Sequence, residues 1–252
     1  TILAESYVNI NDFEAAKKIY DKLLSENQEE GIIYFSMADF YRIIGDYDKA
    51  FELLGRGFTR EDVELEIKVK MMLSMLNNLN GDAYLNEKVG NLMQVLVSTY
   101  PNDLMVRAVN SDFLLYMQNY EAAQKEYDFI LERDKDKFEI WRQALSVDFI
   151  LQDMQAMYRR SKEATELFPN VLEFYQYYVV SAYATNNYKD VSDAVDYASM
   201  LITNDQQMLI EFLSLQGDAL HKLGEHHRSD SVFELLLYKD AENIQALNNY
   251  SY

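Results

Sequence analysis

Chemistry needs converging reactive groups, and this sequence offers few. Its three histidines, His221, His226 and His227, fall close together. His221 closes one helical pattern and the other two open the next, so all three could meet at a single turn. Imidazoles become metal ligands when further ligating groups join them at a recognised spacing. No acidic residue stands at such a spacing and no His-Glu-x-x-His occurs, so the cluster reads as a solvated turn and no metal is expected. Paired carboxylates are plentiful, as in Glu29-Glu30 and Glu61-Asp62-Glu64. Acidic residues at helix starts mostly cap free N–H groups or face the positive end of the helix dipole, so none is assigned a catalytic role. Cysteine is absent, which removes disulfides, thiolate metal sites and thiol nucleophiles. With no glycine-rich phosphate loop either, the inventory points to a chain that is not an enzyme and uses no cofactor.

The elements therefore matter more than any reactive group. The 252 residues are 49% hydrophobic and 13% aromatic, ample for a core. Eight glycines and two prolines leave few of the punctuators that β-turns consume, so the chain is expected to be almost entirely helical. A net charge of −19 repels a nucleic-acid backbone and an anionic membrane surface. No apolar run approaches the roughly 18 residues of a membrane span. Nucleic acid and direct membrane insertion are thus not expected. The opening residues, Thr1 to Tyr7, read as mid-helix sequence rather than a signal peptide, as in a fragment or processed product.

One hexapeptide recurs. Asn11-Asp12-Phe13-Glu14-Ala15-Ala16 returns as Gly45-Asp46-Tyr47-Asp48-Lys49-Ala50, with the last residues 34 apart. Further copies begin at Gln118, Gln152 and Asn186, and their last residues, Ala123, Met157 and Val191, are again 34 apart. A blurred copy lies over Asn77 to Asp82, with Val89 in place of the small residue, 39 after Ala50. The copy from Gly224 to Ser229 follows Val191 by 38, which implies a short insertion around Thr203 to Gln207. Each copy reads as a helix-turn-helix joint, its glycine or asparagine free to take positive φ and end the first helix.

A 34-residue period with this joint resembles the tetratricopeptide repeat over essentially the whole chain. The pattern residues are Tyr34, Ala38, Tyr41, Ala50 and Leu54 in the second repeat and Trp141, Leu145, Met157, Ala164 and Pro169 in the fifth. In the seventh they are Leu213, Gly217, Ser229, Phe233 and Leu236, and the third closes on Pro101. The resemblance implies an all-α fold, an α-solenoid of stacked antiparallel helix pairs in a right-handed superhelix, occupying 1–252 as one domain. Its repeats fall at about 1–30, 31–63, 64–102, 103–136, 137–170, 171–205 and 206–242. A partial eighth, Asn243 to Tyr252, reads as a first helix without its partner. The tyrosine-rich array resembles bacterial members of the family, many of them exported.

Physics supports the same architecture. One helix pair cannot bury its apolar faces alone, whereas stacking pairs builds a continuous core. Tyr47, Tyr120, Tyr188 and Phe13, large aromatics at regular spacing, are read as packing wedges. Function then belongs to the surface that stacking creates. The resemblance places the first helices along a concave groove and points inward Phe35, Asp39 and Arg42, then Val69 and Leu73, then Ala108, Asp112 and Tyr116. The later repeats supply Arg142, Ser146 and Phe149, then Gln176, Val180 and Tyr183, then Ser214, Asp218 and His221. Aromatic anchors interleaved with single charges suit a peptide or protein segment. The lysine, asparagine and arginine clamp of co-chaperone relatives is absent, since its places hold Phe35 with Asp39, Ala108 with Asp112, and Arg142 with Ser146. A neutral or basic partner therefore fits better than an acidic one. The expectation is a non-enzymatic interaction scaffold; the alternative is an accessory module of a larger exported protein, self-associating through its terminal repeats.

Overall fold

The computed structural model describes residues 1–27 and 29–250; Ser251 and Tyr252, at the end of the partial eighth repeat, lie outside the described residues. Among the described residues there are fifteen α-helices and no strands. The helices gather into two compact units, Thr1–Ile130 and Leu131–Tyr252.

In the first unit the pairs are α1 (Ile2–Asn9) with α2 (Phe13–Glu26), α3 (Gly31–Ile43) with α4 (Tyr47–Phe58), α5 (Leu65–Asn77) with α6 (Ala83–Thr99), and α7 (Leu104–Tyr116) with α8 (Tyr120–Leu131). In the second they are α9 (Phe138–Ile150) with α10 (Met154–Leu167), α11 (Leu172–Ala184) with α12 (Tyr188–Leu201), and α13 (Gln206–Lys222) with α14 (His226–Lys239), followed by α15 (Ile244–Tyr250). In the second unit α11 packs on both α9 and α13, and α13 also on α15, so the first helices form one layer.

Every joint turns through a left-handed residue. Asn11, Gly45, Gly81, Gln118, Gln152, Asn186 and Gly224 all have φ between 54° and 87°. At all but Gly81 the next N–H donates to a carbonyl five residues back, as Asp46 to Tyr41 at 2.9 Å and Asn119 to Leu114 at 2.8 Å. That is the Schellman bond, which satisfies carbonyls at the end of the first helix. Aspartates then open the second helices: Asp12, Asp46 and Asp153 each accept from a backbone N–H three residues on. The acidic runs behave differently. Glu30 and Glu64 make no side-chain cap bond, whereas Asp62 accepts from Gly31 N at 2.8 Å, and Arg60 donates to Glu29 at 2.7 Å. These carboxylates tie neighbouring repeats together.

Asparagine and glycine tolerate the left-handed region; glutamine does so at a cost of roughly 1–2 kcal/mol. Gln118→Gly and Gln152→Gly are therefore each expected to raise stability by about 0.5–1 kcal/mol, the gain being limited by glycine's greater unfolded-state freedom. Denaturant midpoints of the single and double variants check this.

The period breaks where the sequence breaks it. Five residues, 78–82, separate α5 from α6, against three at the other joints, and α6 runs to 17 residues. This joint has no Schellman bond, and Gly81 N instead donates to the Tyr116 hydroxyl at 2.9 Å. The insertion expected near Thr203 appears as a 17-residue α13, four longer than α11.

Small residues let the layers close. Ala16, Ala50, Ala123 and Ser229 are buried at the second-helix positions, and so are the larger Val89, Met157 and Val191. Phe40 is the aromatic hub of the first unit, 5.4 Å from Tyr20, 5.2 Å from Tyr41 and 6.4 Å from Phe13 between ring centroids. The core also holds charge: Asp148 on α9 is fully buried and accepts a short hydrogen bond from Arg160 on α10. Lys68 is fully buried too, donating to the Tyr100 hydroxyl at 2.6 Å and to the Arg60 carbonyl.

Candidate functional site

The first unit holds a mainly apolar cleft of about 280 Å³. α3 supplies Phe35, Asp39 and Arg42, α4 supplies Tyr47 and Phe51, α5 supplies Met71 and Met75, and α6 supplies Leu85. Its position follows from packing. α3 packs on α2 and α4, α5 on α6 and α7, and α4 also on α6, so the cleft lies where repeats two and three meet. Phe35 forms part of the wall because α4 carries a glycine beneath it, where a Cβ on Gly57 would stand 3.1 Å from the ring. At the mouth Arg42 donates through Nε at 3.0 Å and Nη2 at 2.7 Å to the same Asp39 oxygen, Oδ1.

The remaining first-unit positions divide. Val69 is buried and Leu73 is half-buried against the core, so on α5 the cleft-lining residues are Met71 and Met75 instead. The physical reason is a register difference of two residues, which moves a side chain by about 200° around a helix. Ala108 is half-buried, Asp112 is exposed, and Tyr116 accepts from Gly81 N, bracing the irregular joint. Asp112 stays accessible yet sits among enough protein to lose hydration, and this desolvation raises its carboxyl pKa.

Tyr47 departs from the reading of the joint aromatics as wedges. Phe13, Tyr120 and Tyr188 are half-buried, but Tyr47 is 51% exposed and lines the cleft. Its position in the joint motif gave no sign of this, because the cleft beside it is completed by Met71, Met75 and Leu85 from the next repeat.

In the second unit the row residues meet across the first-helix layer. Arg142 lies 3.8 Å from Glu173, and the Phe149 and Tyr177 rings meet edge-on at 6.3 Å. Gln176 reaches Met208 at 3.6 Å, and the Tyr183 hydroxyl donates to Asp218 at 2.8 Å. Ser146 and Val180 are exposed, whereas Ser214 is buried and leaves the surface. The His221 and His226 rings pack edge-on at 5.0 Å. Among the described residues no cluster of three or more histidines and carboxylates could hold a metal ion. Nor is any helix among them long and apolar enough to cross a membrane.

Burial pushes the phenols of Tyr20, Tyr127 and Tyr183 up to about 12, with the Asp218 carboxylate adding to the effect at Tyr183. The ordinary value is about 10. The folded state therefore keeps protons that the unfolded chain loses above that pH, so stability is full below about pH 10 and falls as pH rises toward 12. Urea midpoints measured across this window should decline, and Tyr127→Phe should flatten the decline.

A family model for the tetratricopeptide repeat matches residues 1–30, the first helix pair. That helix pair matches the tetratricopeptide repeat. The crystal structure of the MamA protein is similar at a TM-score of 0.51 and 11% identity, covering 69% of this chain and 92% of that one. The C-terminal part of a tetratricopeptide-repeat protein from Cytophaga hutchinsonii gives 0.49 at 14% identity, over 98% of each chain. YrrB, described as a tetratricopeptide protein with an unusual peptide-binding site, gives 0.48 at 9%, over 92% of this chain and 98% of that one. At such identities the likeness to MamA speaks for the fold. No curated protein matches the sequence. The described residues are all-α, and within each unit the helices stack as pairs, the fold these structures share.

Proposed function

We propose that the chain is a non-enzymatic scaffold that binds a peptide or protein segment on the faces formed by its first helices. The observation that carries this reading is the apolar cleft of the first unit, whose wall includes Phe35, Asp39 and Arg42, three residues that the resemblance to the tetratricopeptide repeat points inward. A recess lined by aromatics and methionine, with a charged pair at its mouth, is the composition of a binding hot spot. The partner is neutral or basic, because a −19 chain steers cations toward itself and repels anions. In the second unit Phe149, Arg142, Gln176 and Val180 present the corresponding surface.

Phe149 is the cleanest probe, being 56% exposed with Tyr177 as its ring contact. Tyr116 and Tyr183 are poorer ones, since their hydroxyls hold Gly81 and Asp218. Phe149→Ala combined with Arg42→Ala is expected to weaken captured partners tenfold or more, about 1.4 kcal/mol, with unchanged circular dichroism. Partners retained at full strength by the double variant would reject the assignment of these faces.

A further inference from the structure

The cleft of the first unit is more selective than the face around it. Its volume of about 280 Å³ lies at the low end of ligand sites and is ample for one large apolar side chain. Inside, Phe51, Leu54, Met71, Met75 and Leu85 offer no hydrogen-bonding partner, and the two methionines can rotate to fit an unbranched or γ-branched chain. The polar residues of its lining are Asp39 and Arg42, both exposed, with Tyr47 half-exposed beside them. An occupant must therefore be apolar at its tip and polar where it leaves.

The mouth also distinguishes charge. Both Arg42 donors fall on Asp39 Oδ1, which leaves Oδ2 without a hydrogen bond among the described residues. An incoming cation finds an open acceptor there, whereas an incoming anion must compete with Asp39 for Arg42 and enter the field of a −19 chain. We infer that the cleft takes one leucine or methionine side chain of a partner segment, and that a lysine or arginine next to it in that segment is bound by Asp39 Oδ2. The inference rests on the reading of these faces as peptide-binding surfaces and adds what enters the cleft.

A random peptide display library selected on the full chain tests it. Enriched peptides are expected to share a leucine or methionine beside a lysine or arginine. Met75→Trp, which fills the cleft, should abolish binding of those peptides, and its melting curve reports whether the variant is folded. Asp39→Lys, a change at an exposed position, should weaken them about tenfold and shift selection toward glutamate at the charged position. Peptides that enrich without this pattern, or that bind Met75→Trp and Asp39→Lys as tightly as the parent chain, overturn the inference while leaving the scaffold reading intact. If no peptide enriches on either unit, both fall.

Discussion

Asp148→Ala is expected to destabilise the second unit by about 3–5 kcal/mol, the usual loss when one partner of a buried ion pair is removed. Asp148 is fully buried on α9, and its partner Arg160 on α10 is almost as deep. Without the carboxylate the guanidinium stays in the core and loses the buried anion that faces it, while the Ala144 carbonyl stands 3.4 Å away. Removing one partner of a buried ion pair costs far more than the intact pair contributes. The paired replacement Asp148→Leu with Arg160→Met should therefore recover much of the loss, and a double-mutant cycle in urea measures the coupling. In hydrogen exchange the single variant should lose protection in α9 and α10 first, because repeat stability is a sum of local and nearest-neighbour terms. A single variant within 1 kcal/mol of the parent would mean that Arg160 finds water or another anion.

Phe40→Ala should cost the first unit a similar amount, about 3–5 kcal/mol. Phe40 is 2% exposed and touches three aromatic rings, two of them, Phe13 and Tyr20, on the neighbouring α2. Truncation removes the apolar burial of one ring, leaves a cavity that three stiff neighbours cannot collapse into, and forfeits the ring-pair geometry. Phe40→Leu keeps most of the volume and should lose about 1.5 kcal/mol or less. Chemical denaturation followed by near-ultraviolet dichroism separates the two variants, since Tyr20 and Tyr41 report on the same cluster.

The sequence carried the architecture because the architecture is periodic. The joint hexapeptide marked where each first helix ends, and all seven left-handed residues fall at its first position or, at Gly81, in the copy that was already blurred. What periodicity missed are the exceptions to it. Lys68 stands in Glu66-Ile67-Lys68-Val69-Lys70, where alternating charge looks solvated, yet its ammonium is enclosed by Tyr100 and the end of α4. Asp148, flanked by Val147 and Phe149, was similarly invisible as a buried ion because its partner lies twelve residues on and no local pattern links them. The site shows the same division. Phe35, Asp39 and Arg42 followed from the resemblance, whereas Tyr47, Met71 and Met75 became visible only once the packing of the second repeat against the third was known.

At six joints the turn is held by backbone bonds, and of the side chain it demands only tolerance of the left-handed conformation, a test that glutamine passes twice. Geometry specified so sparsely lets the remaining letters diverge. The copies have done so: the family model matches one helix pair, residues 1–30, while the same turn returns five more times before α14. What is handed on along this chain is a bend in space, recoverable from its angles long after the words that first spelled it have changed.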